Sequence, residues 1–195
     1  MDAATITLPP ILELAIALTD EQFFQLCQDN RDFRFERTAS GGLIIMPPTG
    51  SDTGRRNIKI TTQLENWSQK NNLGIAFDSS TGFKLPNGAE RSPDASWVKR
   101  ERWNALTPEQ QEKFAPLCPD FVVELRSPSD PLRTTQEKMR EYMDNGASLG
   151  WLLDPKNQQV EIYRRDRAVE ILSSPATLSG EDVLPGFVLD LKLIL

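Results

Sequence analysis

Apolar and polar positions sort this chain into short strands and a few helices. Phe121, Val122 and Val123 form an apolar run that ends on Glu124, Leu125 and Arg126. Such a run predicts a strand buried on both faces. Leu132, Met139 and Met143 then mark one stripe of a helix over about 132–144, opened by Pro131 and ended by Asn145-Gly146. A second apolar strand follows at 149–153 and stops at Asp154-Pro155. Strand, helix and strand predict a βαβ unit with parallel strands.

The same patterns place elements upstream. Residues 1–18 read as a loosely structured arm, because Pro9-Pro10 resists regular structure. Thr19-Asp20-Glu21-Gln22 is a capping box and starts a short helix. Phe33 to Arg37 alternates, with Phe33 and Phe35 on one face and Arg34 and Glu36 on the other. Gly41-Gly42 turns it into the apolar strand 43–46, giving a hairpin. Ser51 or Asp52 is expected to cap a helix to about Asn71, whose core face is Ile60, Leu64 and Trp67.

The middle of the chain reads as strands at 73–77 and 82–85. Asn87-Gly88 signals a type I′ turn, and one returning strand runs from Ala89 to Val98 through Pro93. Thr107-Pro108-Glu109-Gln110 is a second capping box. A C-terminal hairpin is expected at 160–163 and 168–172, and residues 188–195 alternate as a last strand, either on the same domain or at a subunit contact. With 195 residues and no linker, the expectation is one domain over 19–195.

Composition narrows the chemistry. The net charge of −6 argues against a broad, non-specific nucleic-acid coat, though not against a local basic groove. There is no His, which removes Ser-His triads, His bases and the common zinc sites. Cys27 and Cys118 read as buried free thiols of a cytoplasmic protein. The apolar patch 11–18 is interrupted by Glu13 and reads as neither a signal peptide nor a membrane span.

The candidate chemistry lies at the strand ends. Asp94 begins one strand and Glu124 ends the next, so two carboxylates converge if the strands are neighbours. Unpaired, they would repel and one would take up a proton. A divalent cation resolves that conflict, and hard oxygen ligands point to Mg²⁺ or Mn²⁺. The competing reading is a salt-bridge cluster of Asp94 and Glu124 with Arg126. Arg126 cannot act as a base but can hold a phosphate oxygen. Lys138 is either a partner of the site or a solvated lysine, and Tyr142 faces the same way. Glu36 taken alone reads as a surface residue. Arg55 and Arg56 near a helix start are either solvated or phosphate contacts. The four Trp residues read as core.

An ordered set of segments carries a resemblance. These are Phe35-Glu36 before Gly42 and Met46-Pro47-Pro48, then Ser92-Pro93-Asp94, then Pro119 through Asp130, Lys138 with Tyr142 and Gly146, and Trp151 through Pro155. The chain resembles the PD-(D/E)xK nuclease superfamily and, more closely, the Uma-two family of restriction-endonuclease-like proteins. The resemblance implies an α/β restriction-endonuclease-like fold: a mixed β-sheet flanked by helices, with extra hairpins. It implies an endonuclease that hydrolyses nucleic-acid phosphodiester bonds, DNA above all, with Mg²⁺ or Mn²⁺. Asp94, Glu124 and the Leu125 carbonyl would hold the metal, and Glu36 matches the N-terminal acidic position. Arg126 stands where the superfamily motif has Lys, and Lys138 on the following helix would supply that role. A homodimer is the family expectation. The alternative is a catalytically inactive domain that keeps the fold for binding.

Overall fold

A computed structural model describes residues 12–195. In chain order it contains β1 (Leu12–Ala15), α1 (Asp20–Asp29), β2 (Arg34–Arg37), β3 (Gly42–Met46), α2 (Ser51–Asn71), β4 (Gly74–Asp78), β5 (Phe83–Lys84), β6 (Glu90–Arg91) and β7 (Ala95–Lys99). Then follow α3 (Arg100–Asn104), α4 (Pro108–Glu112), β8 (Phe121–Leu125), α5 (Leu132–Asp144), β9 (Leu149–Asp154), β10 (Gln159–Arg164), β11 (Glu170–Ser173), β12 (Thr177–Ser179) and β13 (Val188–Asp190).

The main sheet has the order β11-β10-β9-β8-β7-β4. Its β8 and β9 are parallel, joined by α5 as the apolar pattern predicts, and the other pairs are antiparallel. A second sheet has the order β1-β3-β2-β6-β5. The last strand, β13, pairs with β12 of its own chain, and Leu189, Leu191 and Ile194 are buried in the core. The tail therefore closes on its own domain.

Alternation along β8 divides the core. Phe121, Val123 and Leu125 join Ile60, Leu64 and Trp67 of α2, together with Trp97 and Trp151, on one face of the main sheet. Val122 faces the other way, with Met139 and Tyr142 of α5. Glu124 shares the parity of Val122, so its carboxylate is aimed beneath α5. Trp97 and Trp151 are fully buried, and each such side chain contributes about 1.5–3 kcal/mol by leaving water.

Several expectations need correction. Residues 1–11 of the expected arm lie outside the described residues, but 12–15 form an edge strand paired with β3. Helix α2 has Gly50 at its N-cap with no side-chain cap, so Ser51 and Asp52 are already inside it. At Asn87-Gly88 only Gly88 has a positive φ, +88°, and the Leu85 amide bonds the Ala89 carbonyl. The connection is a three-residue loop, Pro86 to Gly88, because a type I′ turn would need Asn87 left-handed as well. The strand expected over 89–98 is two strands, β6 in one sheet and β7 in the other. Pro93 has no N–H to give a ladder, and the chain changes sheets at Ser92-Pro93-Asp94. Both capping boxes form as predicted.

Candidate active site

The change of sheet at Pro93 places Asp94 where the two sheets meet. Alanine 95 lies opposite Val123 in the ladder, so Asp94 stands beside the end of β8. Its Oδ2 accepts the Leu125 amide at 2.9 Å. Its Oδ1 accepts Asn57 Nδ2 at 3.1 Å and has a long 3.5 Å contact with Arg34 Nη1. Asp94 and Glu124 are thus neighbours by backbone register, as the two strands predict.

Glu36 reaches the same place from the second sheet. It is 3 % exposed, against 8 % for Asp94 and 7 % for Glu124, so it is not the surface residue its strand alternation suggests. The reason is that β2 is covered on both faces. Arg37 packs over the Phe23 ring of α1, while Arg34 and Glu36, of the other parity, line a cavity of about 460 Å³ with Asp94 and Glu124.

The helix after β8 delivers the cation. Lys138 Nζ lies 2.7 Å from Glu36 Oε1 and 2.9 Å from Glu124 Oε1. Tyr142, one turn on, donates its hydroxyl to Glu124 Oε1 at 3.0 Å. Lys138 is therefore a largely covered, bridging ammonium rather than a solvated one. Arg91 completes the set: its Nη1 is 3.1 Å from Glu36 Oε2 and its Nε 2.6 Å from Glu141 Oε2. The Ser92 amide also donates to Glu36, at 3.1 Å.

These contacts split the carboxylates electrostatically. Burial pushes the Glu124 carboxyl up, the Lys138 charge pulls it back, and the charges of Asp94 and Glu36 push it up again, to about 7. Burial acts in the same sense on Glu36, but Lys138 and Arg91 outweigh it and hold that carboxyl below its usual value. Burial would lower Lys138, but Glu124 and Glu36 raise it, so it stays charged. Burial and the two carboxylates keep the Tyr142 hydroxyl protonated.

Arg126 does not join this group. Its Nη1 is 2.7 Å from Asp154 and its Nε donates to the Asp130 carbonyl, so it fastens the turn after β8 to the end of β9. Strand β8 ends at Leu125, so Arg126 belongs to the turn that follows and is free of the alternation that would otherwise put it on the face of Glu124. The expected cluster of Asp94 and Glu124 with Arg126 is not formed. Arg55 and Arg56 pair with Asp52 and donate to the Leu193 and Ile194 carbonyls, which ties the C-terminal tail to α2. Neither they nor Arg126 line the cavity.

Three contributors escaped the sequence reading: Arg34, Arg91 and Asn57. Arg34 carried a signal, since it shares the parity of Glu36 on β2. Arg91 and Asn57 carried none, because only the meeting of the two sheets brings them in.

Among the described residues, no three acidic, Cys or His side chains converge as a metal-ligand set. What the floor offers is narrower. Asp94 and Glu124 face one cavity, and no described residue donates a hydrogen bond to Glu124 Oε2. Two carboxylates with room for solvent suit Mg²⁺, which keeps several waters and takes one or two protein carboxylates. They do not suit zinc, which wants three or four N or S ligands.

Comparison with known proteins agrees with this architecture. The profile of the Uma2 family, described as "Putative restriction endonuclease", matches residues 20–192. A solved structure described as "a putative nuclease belonging to DUF820" from Anabaena variabilis superposes with a TM-score of 0.75 at 19 % identity. The match covers 91 % of this chain and 97 % of that one. No curated protein matches the chain.

Proposed function

Since this chain belongs to the Uma2 family of restriction-endonuclease-like proteins, we propose that it hydrolyses nucleic-acid phosphodiester bonds with the help of Mg²⁺ or Mn²⁺. The observation that carries this reading is the meeting of Asp94, Glu124 and Lys138 at the floor of one cavity. Bound between the two carboxylates, the cation would supply Lewis-acid activation of the phosphate and of an attacking water.

The protein's own groups have separate tasks. Asp94 is fixed in orientation by the Leu125 amide and Asn57. Lys138 presents a permanent positive charge where the phosphorane gathers negative charge, and Glu36 keeps that charge in place. Glu124, with one oxygen held by Lys138 and Tyr142, keeps the other toward the cavity. Arg34, which lines the cavity and is 30 % exposed at its side chain, takes the phosphate-gripping role expected of Arg126.

A catalytically silent domain is the second reading. It is favoured by the closed pairing of Lys138 with both Glu36 and Glu124. Cleavage of plasmid and oligonucleotide substrates in Mg²⁺ or Mn²⁺ separates the two. The nuclease reading expects cutting that Asp94→Ala and Glu124→Ala abolish. Equal cutting by either variant overturns the assignment, and no cutting by the wild type, with no rise in melting temperature in either ion, leaves the silent domain.

A further inference from the structure

The cavity over the carboxylate floor is small and acidic. Its volume, about 460 Å³, falls in the range of small-ligand pockets, roughly 300–1,000 Å³. Seven carboxylates line it against three cations. Each of those cations is already engaged: Lys138 with Glu36 and Glu124, Arg91 with Glu36 and Glu141, Arg34 with Asp94 and the Ser92 carbonyl. Among the described residues, Arg34 Nε is a buried cationic donor of this lining without a partner.

A duplex carries one negative charge per about 1.7 Å of its axis and is gripped by Lys and Arg placed along that path. Among the described residues that line this cavity, Arg34, Arg91 and Lys138 are the cations, and their pairing with carboxylates leaves no such path. Where the rim is not acidic it presents Thr and Ser hydroxyls and an apolar wall of Ile44, Met46, Pro47 and Pro48. The wall is continuous in sequence with β3, whose neighbour β2 carries Arg34 and Glu36. An apolar surface beside one cationic donor fits the face of a base next to its phosphate, which is how unpaired strands are held.

We infer that the cavity takes one unpaired nucleotide of a single strand, its phosphate toward Arg34 and the floor and its base against Met46 and Pro47. The substrate class is single-stranded nucleic acid, or a nucleotide that has left a duplex stack. The inference rests on the nuclease reading for its biological meaning, but binding tests it separately.

The test uses the full chain and octanucleotides carrying 2-aminopurine, as single-stranded DNA, single-stranded RNA and blunt duplex DNA of the same sequence. Binding is read by anisotropy, and base environment by 2-aminopurine emission, in Ca²⁺ and in EDTA. At least one single strand should bind about tenfold or more tighter than the duplex, with a change in emission; the DNA and RNA arms identify the sugar. Met46→Ala should weaken single-strand binding about three- to tenfold, while Arg167→Ala, in the exposed turn between β10 and β11 and outside the cavity lining, should not. Equal or tighter duplex binding, unchanged emission, or no binding to any strand overturns the inference. Loss of cleavage with single-strand binding intact sinks the nuclease reading alone.

Discussion

Lys138 Nζ donates to Glu36 Oε1 at 2.7 Å across 102 positions of sequence. One contact thus joins the helix of the βαβ unit to the second sheet. Glu36 is buried and Lys138 is 16 % exposed at its side chain, and Arg91 shares the same carboxylate. Removing Glu36 takes from Lys138 and Arg91 one of the two carboxylates that each holds, leaving Glu124 and Glu141, and this costs more than the pair contributes. Glu36→Ala should lower stability by about 3–5 kcal/mol in urea unfolding. The exposed pair Arg133–Glu137 is the control, and Arg133→Ala should leave the midpoint unchanged. Equal midpoints for wild type and Glu36→Ala would remove the structural role given to this contact.

Lys138 itself separates charge from volume. Lys138→Met keeps the stem of the side chain but removes the ammonium between Glu36 and Glu124, leaving Glu36 with Arg91 and Glu124 without its paired cation. Under the nuclease reading its cleavage rate should fall by about 10²–10³-fold, with single-strand affinity changed much less. Retained cleavage would show that no ammonium is needed at the floor.

Arg126 makes the opposite prediction. Arg126→Gln should lower stability by about 2–4 kcal/mol, because Asp154 is buried beside it and keeps only Asn157. The folded fraction should cleave at the wild-type rate. A rate loss of a hundredfold without loss of stability would return Arg126 to the site.

The pH dependence follows from Glu124. Its carboxyl is raised from 4.5 in the reference state to about 7 in the fold, so the folded chain binds the extra proton between those values. The stability this gives is fully present below about pH 4.5 and is lost as pH rises through about 7. Glu90, also raised to about 7, acts in the same direction, while Glu36, lowered, contributes above pH 4.5 and loses its share as pH falls. Glu124→Gln should therefore melt higher than wild type at pH 8 and lose that advantage at pH 4.5. Identical pH profiles for the two proteins would refute the raised Glu124.

Packing on the two faces of the main sheet gives a paired test. A Cβ on Gly150 of β9 would meet Met139 Cε at 2.5 Å and Met143 Cε at 3.0 Å, both ends of flexible side chains. A Cβ on Gly74 of β4 would meet Trp97 Cζ2 and the Val98 carbonyl, each at 2.3 Å, and neither can yield. Gly74→Ala should cost about 1–3 kcal/mol and Gly150→Ala less. The reverse order in thermal melting would contradict this account of where the sheet can yield.

The βαβ unit was legible because its signals are local: an apolar run, a helical stripe, a glycine stop. Asp94 and Glu124 were legible because each sits at the end of such a run. The role of Arg126 was not, since parity alone cannot say that Asp154 waits at the end of β9. Glu36 and Lys138 looked like surface residues for the same reason. Their burial depends on a second sheet closing over α5, and no periodicity in either segment encodes that. The break at Pro93 was half visible: proline excludes a central ladder position, but not a change of sheet.

That change of sheet at Ser92-Pro93-Asp94 has a kinetic meaning. Asp94, Glu124 and Lys138 belong to neighbouring elements of the main sheet and its helix, at short sequence separation, whereas Glu36 arrives only when the second sheet docks across 102 positions. A partly folded chain can hold the βαβ unit and still lack a complete centre. Under the nuclease reading, a chain whose second sheet has not docked lacks the carboxylate that holds Lys138 in place.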